Sequence, residues 1–123
     1  MKAIVQERYG SSDTLAYKEV DRPAPAGGEV LVRVRAAAVN AYDWHIMRGD
    51  PYFARLMTPG TFGFSGPRRP IRGRDFAGVV ESVGAGVTRV RPGDEVFGDT
   101  GAADGAFAEY VTCLLYTSPS PRD

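Results

Sequence analysis

Three side chains that can donate or accept protons or hydrogen bonds lie close together in the segment NAYDWHIMRG, residues 40–49. The phenol of Tyr42 can donate a proton, and the amide of Asn40 can both donate and accept hydrogen bonds. The carboxylate of Asp43 can orient such neighbours. Each also has a simpler structural role, because Asn40 is a good helix N-cap, Asp43 complements a helix dipole and Tyr42 can pack as a half-buried aromatic. The segment therefore predicts a capped helix that could also face a cleft.

Two further aromatic residues could line a pocket near this segment. Trp44 is expected to pack or to form a pocket wall. Tyr52 lies in the loop Asp50–Pro70, which is rich in Pro, Gly and aromatics and could hold one helical turn at Tyr52–Met57. A loop of about twenty residues in a compact domain is usually functional or mobile. Tyr52 could therefore line a substrate pocket, although a hydrophobic contact that anchors the loop explains it equally well.

The sequence gives little support for a metal site. His45 is the only histidine and Cys113 the only cysteine, whereas a protein zinc site needs three or four nitrogen, sulfur or oxygen ligands. One cysteine also excludes a disulfide framework, so we expect a reducing, cytoplasmic location. No signal peptide or membrane-spanning stretch is visible.

Four arginines form a basic run, which could attract cofactor phosphates or an acidic partner but is better explained as a solvated loop. They are Arg68, Arg69, Arg72 and Arg74. The formal net charge is zero, with 15 acidic and 15 basic residues. A nucleic-acid surface is therefore not expected.

These residues must be positioned by short strands and turns, since 15 glycines and 9 prolines leave little room for long helices. The clearest strand is Glu29–Val39. Its even-numbered residues from Val30 to Ala36 share one face, and Leu31, Arg33 and Arg35 share the other.

A single domain that is mainly β, with one or two short helices, accounts for the remaining pattern. The other predicted elements are strands at Met1–Arg8, Leu15–Val20, Phe76–Val83, Val87–Val90, Val96–Gly98 and Gly105–Thr112, turns at Gly84–Gly86, Arg91–Asp94 and Asp99–Asp104, and a helix at Ala41–Arg48.

The order of three motifs resembles the N-terminal domain of medium-chain dehydrogenases/reductases, most closely the zinc-independent, quinone-oxidoreductase-like branch. The motifs are EVLVRVRAAAVNAYDWHIMRG, GRDFAGVVESVGAGVTRVRPGDEVFG and GAFAEYV. The resemblance covers Met1–Thr112 and implies a GroES-like, partly open β-barrel followed by a Rossmann domain that binds NADPH. The only G-x-G, at Gly84–Gly86, joins two strands and lacks a third glycine, so it is not a phosphate-binding loop. We therefore expect an incomplete catalytic domain at 1–112, without its Rossmann partner.

The last eleven residues are expected to be foreign to this domain. Residues 113–123, CLLYTSPSPRD, resemble a translated sequencing-adapter tail, and they are left out of the fold prediction.

The resemblance assigns roles to the candidate residues. Asn40 and Arg74 stand where zinc-dependent members have a cysteine and a histidine, which implies a site without zinc. Asn40 is similar to a residue that contacts the nicotinamide or the substrate carbonyl, and Tyr42 matches the Ser or Thr of a proton relay. Asp43, Trp44, Tyr52 and Arg74 complete the expected surface facing substrate and nicotinamide.

The function implied is NADPH-dependent transfer of hydride to a quinone, an enone or another carbonyl compound, with the fragment inactive alone. The resemblance also allows a homodimer in the intact protein. From the balanced charge and the lack of a membrane-spanning stretch, we expect no nucleic-acid or membrane partner. A different class stays open: a non-catalytic GroES-like module that acts in binding or assembly.

Overall fold

The computed structural model describes residues 1–48, 71–100 and 104–114 of the 123-residue chain. Within these ranges the elements are β1 (Lys2–Gln6), β2 (Leu15–Glu19), β3 (Glu29–Ala38), α1 (Ala41–Arg48), β4 (Asp75–Val83), β5 (Glu95–Asp99) and β6 (Tyr110–Leu114), with one 3-10 turn at Ser12–Thr14. The predictions for Asp50–Pro70, including the helical turn at Tyr52–Met57, lie outside the described residues.

Two antiparallel sheets form an open, mainly β arrangement. One has the strand order β5-β4-β3-β6, and the other is the β1-β2 hairpin. Two isolated bridges, Ala3 to Ala108 and Val5 to Ile71, attach β1 to the rest of the domain. The predicted mainly β fold with a short helix is confirmed, and so is the N-terminal hairpin.

The hydrophobic core lies against one face of the larger sheet. Its buried members are Val30, Val32, Phe76, Ala106 and Val111, with partly buried apolar residues packed around them. Alternate residues of β3 and β4 supply most of it, as the pleat requires.

Leu31 departs from the predicted alternation of β3. It is 3% exposed, although it was expected to share the solvent face with Arg33, which is exposed. The register between β3 and β4 shifts between Leu31 and Val32. An irregularity of this kind breaks strict alternation, and the sequence pattern gives no sign of it.

The strand predicted at Val87–Val90 was wrong. Residues 84–94 form a two-turn connection, and β4 pairs directly with β5. The amide of Gly84 donates to the carbonyl of Glu29, and the amide of Val87 donates back to Gly84. Both valines still pack against the core as apolar side chains of a connection.

The predicted turn Arg91–Asp94 is confirmed. The carboxylate of Asp94 accepts the Arg91 amide at 3.0 Å, and Gly93 supplies a positive φ of 97°. The last strand begins later than predicted, at Tyr110, because the amides of Ala106 and Phe107 bond to residues 73 and 72 and not to β3. It ends at Leu114, which pairs with Glu29, two residues past the expected end. The domain boundary at Thr112 stays a prediction.

None of the helices in the described ranges has the length and apolarity that crossing a bilayer would require.

Candidate functional site

The helix α1 begins with a reciprocal cap formed by Asn40 and Asp43. The amide of Asp43 donates to Oδ1 of Asn40 at 3.2 Å, and the amide of Asn40 donates to Oδ2 of Asp43 at 2.9 Å. This capping box satisfies two amides that the helix cannot pair internally. The predicted helix Ala41–Arg48 and the N-cap role of Asn40 are confirmed.

The other end of α1 is fixed to β1 through a buried glutamine. Gln6 is fully buried, and its Nε2 donates to the carbonyl of Met47 at 2.7 Å. The amide of Gly10 donates to the same carbonyl at 2.9 Å. Sequence reasoning missed Gln6, since a polar residue at the end of a strand gives no signal that it will be buried.

Asn40 also joins α1 to the sheet. Its Nδ2 donates to Oδ2 of Asp75 at 2.6 Å. Asp75 begins β4 and pairs in register with Ala38, the last residue of β3. The end of β3, the start of α1 and the start of β4 therefore meet at Asn40.

Arg74 lies next to this junction and is held on two sides. Its guanidinium carbon is 3.7 Å from the ring centroid of Tyr42, and its Nε donates to Oδ1 of Asp99 at 3.3 Å. The stack is a cation–π contact that connects α1 to β4. We call Asn40, Tyr42, Asp43, Arg74, Asp75 and Asp99 the polar corner.

A buried ion pair lies beside the polar corner. Arg72 and Asp104 have side chains that are 4% and 1% exposed, and Nη2 of Arg72 is 3.4 Å from Oδ2 of Asp104. Burial lowers the pKa of the Arg72 guanidinium, and the charge of Asp104 opposes this. The predicted solvated loop was therefore wrong for Arg72, while Arg68 and Arg69 lie outside the described residues.

The backbone around Arg72 explains its burial. Its amide donates to the carbonyl of Ile4, and its own carbonyl accepts the amide of Phe107. The segment is thus fixed between β1 and the residues before β6. Asp104 has a positive φ of 54°, a conformation that Asp and Asn tolerate better than most residues. The pair joins positions 32 residues apart, so no local pattern could have indicated it.

Within the polar corner, the surroundings shift the pKa of Asp43, which is 8% exposed. Burial raises its pKa, the hydrogen bond from the Asn40 amide lowers it, and Asp75 raises it again. Arg72 and Arg74 contribute smaller opposing effects. The carboxylate is therefore partly compensated by the groups around it.

Among the predicted site residues that the structure describes, Trp44 is not brought into this network. Trp44 is 49% exposed, and its ring contacts are with His45 and Arg48 of the same helix. Tyr52 lies outside the described residues. Tyr42 is half-buried with a buried hydroxyl, as a packing role requires. Its role as a proton donor stays a prediction.

Metal ligands do not cluster in the part of the chain that the structure describes, where no group of three or more His, Cys, Asp or Glu side chains could hold an ion. A shallow groove of about 360 Å³ lies elsewhere, along β1, β2 and residues 107–109, and shares no residue with the polar corner.

Comparison with known proteins identifies the family of the domain. Residues 26–116 match the family described as the alcohol dehydrogenase GroES-like domain. The chain belongs to this family. The match includes β3, α1, β4, β5 and β6, and therefore the elements that form the polar corner.

Individual relatives indicate which members of the family this GroES-like domain resembles. It is 35% identical over 121 residues to dehydrogenase orf1 of Aspergillus niger, covering 92% of the chain and 32% of that protein. It is 38% identical over 113 residues to the chloroplastic quinone-oxidoreductase homolog of Spinacia oleracea, covering 90% and 32%. The solved quinone oxidoreductase of Coxiella burnetii superposes with a TM-score of 0.76 at 29% identity, covering 93% and 34%.

The domain lies in the quinone-oxidoreductase-like branch of the medium-chain dehydrogenase/reductase superfamily. It spans about a third of the length of the curated relatives that it matches.

Proposed function

We propose that this domain is the N-terminal catalytic part of a longer, zinc-independent reductase that transfers hydride from NADPH to a quinone, an enone or another carbonyl compound. The observation that carries the proposal is the polar corner. An amide and a guanidinium stand together at one end of the sheet, in a chain similar to quinone oxidoreductases. Both groups bind carbonyl oxygen without a metal ion.

Asn40 fits the nicotinamide end of such a cofactor. Its amide has two donor hydrogens and two acceptor lone pairs. Within the described residues, the bonds to Asp75 and to the Asp43 amide use one donor and one acceptor site. One of each is left for a carboxamide or a substrate carbonyl. The bound nicotinamide supplies the hydride, and the chain orients the acceptor and keeps water from it.

The other predicted site residues have supporting roles in this proposal. Asp43 holds the Asn40 backbone through the capping box. The ring of Tyr42 supports Arg74, and Trp44 and Tyr52 form part of the pocket wall. We further propose a cytoplasmic protein that can form a homodimer and has neither nucleic acid nor membrane as a partner.

The test uses the longer protein encoded by the intact gene. NADPH oxidation is followed by absorbance with benzoquinone and methyl vinyl ketone as acceptors. We expect turnover with both, a preference for NADPH over NADH and no inhibition by o-phenanthroline. The 123-residue chain alone is expected to give none. Turnover by the chain alone, or loss of turnover with the chelator, would contradict the proposal. An intact gene that encodes no nucleotide-binding domain would favour the binding or assembly module.

A further inference from the structure

The guanidinium of Arg74 is held in place but keeps donors to spare. Its Nε bonds to Asp99 and its face lies on the Tyr42 ring. Its two terminal nitrogens make no hydrogen bond to any residue that the structure describes. The side chain is 24% exposed. A planar cation that is fixed on one edge and one face can present its remaining N–H groups to an anionic oxygen with little loss of rotamer entropy.

The position of Arg74 suits the same acceptor as Asn40. The next residue along the chain, Asp75, accepts the side-chain bond of Asn40 at 2.6 Å. The amide of Asn40 therefore contacts the residue that directly follows Arg74, and both groups lie at the start of β4. The hydroxyl of Tyr42 is buried, so it offers little accessible surface to a ligand. Its ring instead serves as the platform for Arg74.

We propose that Arg74 stabilises the oxyanion that forms on a conjugated carbonyl substrate, an assignment that rests on the proposed function. In this step the hydride adds to the terminal carbon of the C=C–C=O system and forms a new C–H bond. The π electrons shift toward oxygen, which becomes an enolate oxygen, while the nicotinamide cofactor is oxidised. For a quinone, this enolate is the keto tautomer of the hydroquinone anion. The terminal nitrogens of Arg74 donate hydrogen bonds to that oxygen, and a proton from solvent then neutralises it.

The choice of arginine narrows the substrate class. A guanidinium stays protonated in proteins, so it can stabilise an anion but cannot hand over a proton. Hydride addition to a quinone or enone gives a delocalised anion that persists until solvent protonates it. Addition to a simple ketone gives an alkoxide that needs a proton donor at once. Arg74 therefore favours conjugated acceptors over simple ketones.

Steady-state kinetics of the longer protein with benzoquinone test the assignment through four variants. Arg74→Gln should lower kcat by roughly 100-fold with little change in KM, the loss typical of one oxyanion donor. Arg74→Lys, which keeps the charge, should recover about a tenth of the wild-type rate. Tyr42→Phe keeps the ring and should stay within about 3-fold of wild type. If Tyr42→Phe costs as much as Arg74→Gln, proton donation dominates and the assignment is wrong.

The matched control is Arg22→Gln. Arg22 also lies over a tyrosine ring, 4.0 Å from the centroid of Tyr110, and pairs with Glu81 at 3.2 Å. It should leave kcat within about 2-fold of wild type, since it lies away from the polar corner. A loss equal to that of Arg74→Gln would mean that any stacked arginine matters for stability alone.

A binding measurement separates this assignment from the proposed function. The 123-residue chain and its Arg74→Gln and Arg22→Gln variants are titrated with para-nitrophenolate, a delocalised oxyanion, and the arginine Nε–H signals are followed by NMR. Thermal unfolding shows that each variant is folded. Binding that is lost only in Arg74→Gln supports the oxyanion site even if the longer protein proves inactive. Equal or absent binding in all three overturns it, whatever the turnover.

Discussion

The two ends of β4 carry the same set of groups in different settings. At its start, Arg74 stacks on Tyr42 and pairs with Asp99 in the polar corner. Near its other end, Arg22 stacks on Tyr110 and pairs with Glu81, a set that we call the exposed corner. The six residue steps from Asp75 to Glu81 separate the two corners by about 20 Å along the strand.

What differs is how each arginine is anchored. The segment before Arg74 is fixed by backbone bonds from Arg72 to Ile4 and from Phe107 to Arg72, and the buried Arg72–Asp104 pair lies beside it. Arg22 lies in a connection without regular structure, and its side chain is 46% exposed. Similar contacts thus give a preorganised donor at one end and an ordinary surface pair at the other.

The sharpest way to break this comparison is to remove the buried carboxylate with Asp104→Asn. We expect the free energy of unfolding to fall by about 3 kcal/mol, because the buried charge of Arg72 loses its counter-charge. Asn tolerates the positive φ at this position as well as Asp does, so the backbone is not the cause. The measurement is urea unfolding. Glu81→Gln at the exposed corner should cost less than about 1 kcal/mol. Equal losses would show that burial does not distinguish the two corners.

Substitutions at Asn40, which joins α1 to the sheet, should have an intermediate effect on stability. Asn40→Ala removes both the cap and the bond to Asp75, and should cost about 1–2 kcal/mol. Asn40→Ser retains a capping oxygen but cannot reach Asp75 in the same way, so it should recover roughly half of that loss. Amide hydrogen exchange of α1 is the readout, compared with the amides of β3. If Asn40→Ser is as damaging as Asn40→Ala, the bond to Asp75 matters more than the cap.

Local signals in the sequence predicted the elements that present the site. The cap at Asn40 predicted the start of α1, and the alternation from Val30 predicted β3. Contacts between distant segments were not predictable in this way. The buried Arg72–Asp104 pair depends on tertiary pairing between strands, and so does the direct pairing of β4 with β5 that replaced the strand at Val87–Val90.

The candidate site shows the same division. Asn40, Tyr42, Asp43 and Arg74 could be nominated from their residue types and from the family pattern, and the structure places them together. The residues that contact them could not be predicted from the sequence. Asp99 reaches Arg74 from the end of another strand, and Gln6 fixes α1 from β1. Such contacts depend on register and side-chain direction, which the pattern of apolar residues does not specify.

The smallest expected effect is a pH dependence of protein stability that is caused by Asp43 in the polar corner. Its pKa is raised above the ordinary value of 3.8, chiefly by burial and also by Asp75, against the Asn40 amide, Arg72 and Arg74. Between 3.8 and the raised value, the folded state holds more proton than the unfolded state. The contribution of Asp43 to stability therefore falls as pH rises through this window and stays low at neutral pH.

Asp43→Asn removes this titration and keeps an oxygen that can accept the Asn40 amide. The wild type should therefore gain stability relative to Asp43→Asn as pH falls through the window, measured by urea unfolding at a series of pH values. Glu81→Gln at the exposed corner supplies the baseline. If the stability of the wild type relative to Asp43→Asn instead increases as pH rises, the predicted direction is wrong. Arg72 and Arg74 would then affect the Asp43 carboxylate more than burial does. The polar corner would then hold its carboxylate as a paired ion and not as a partly compensated buried one.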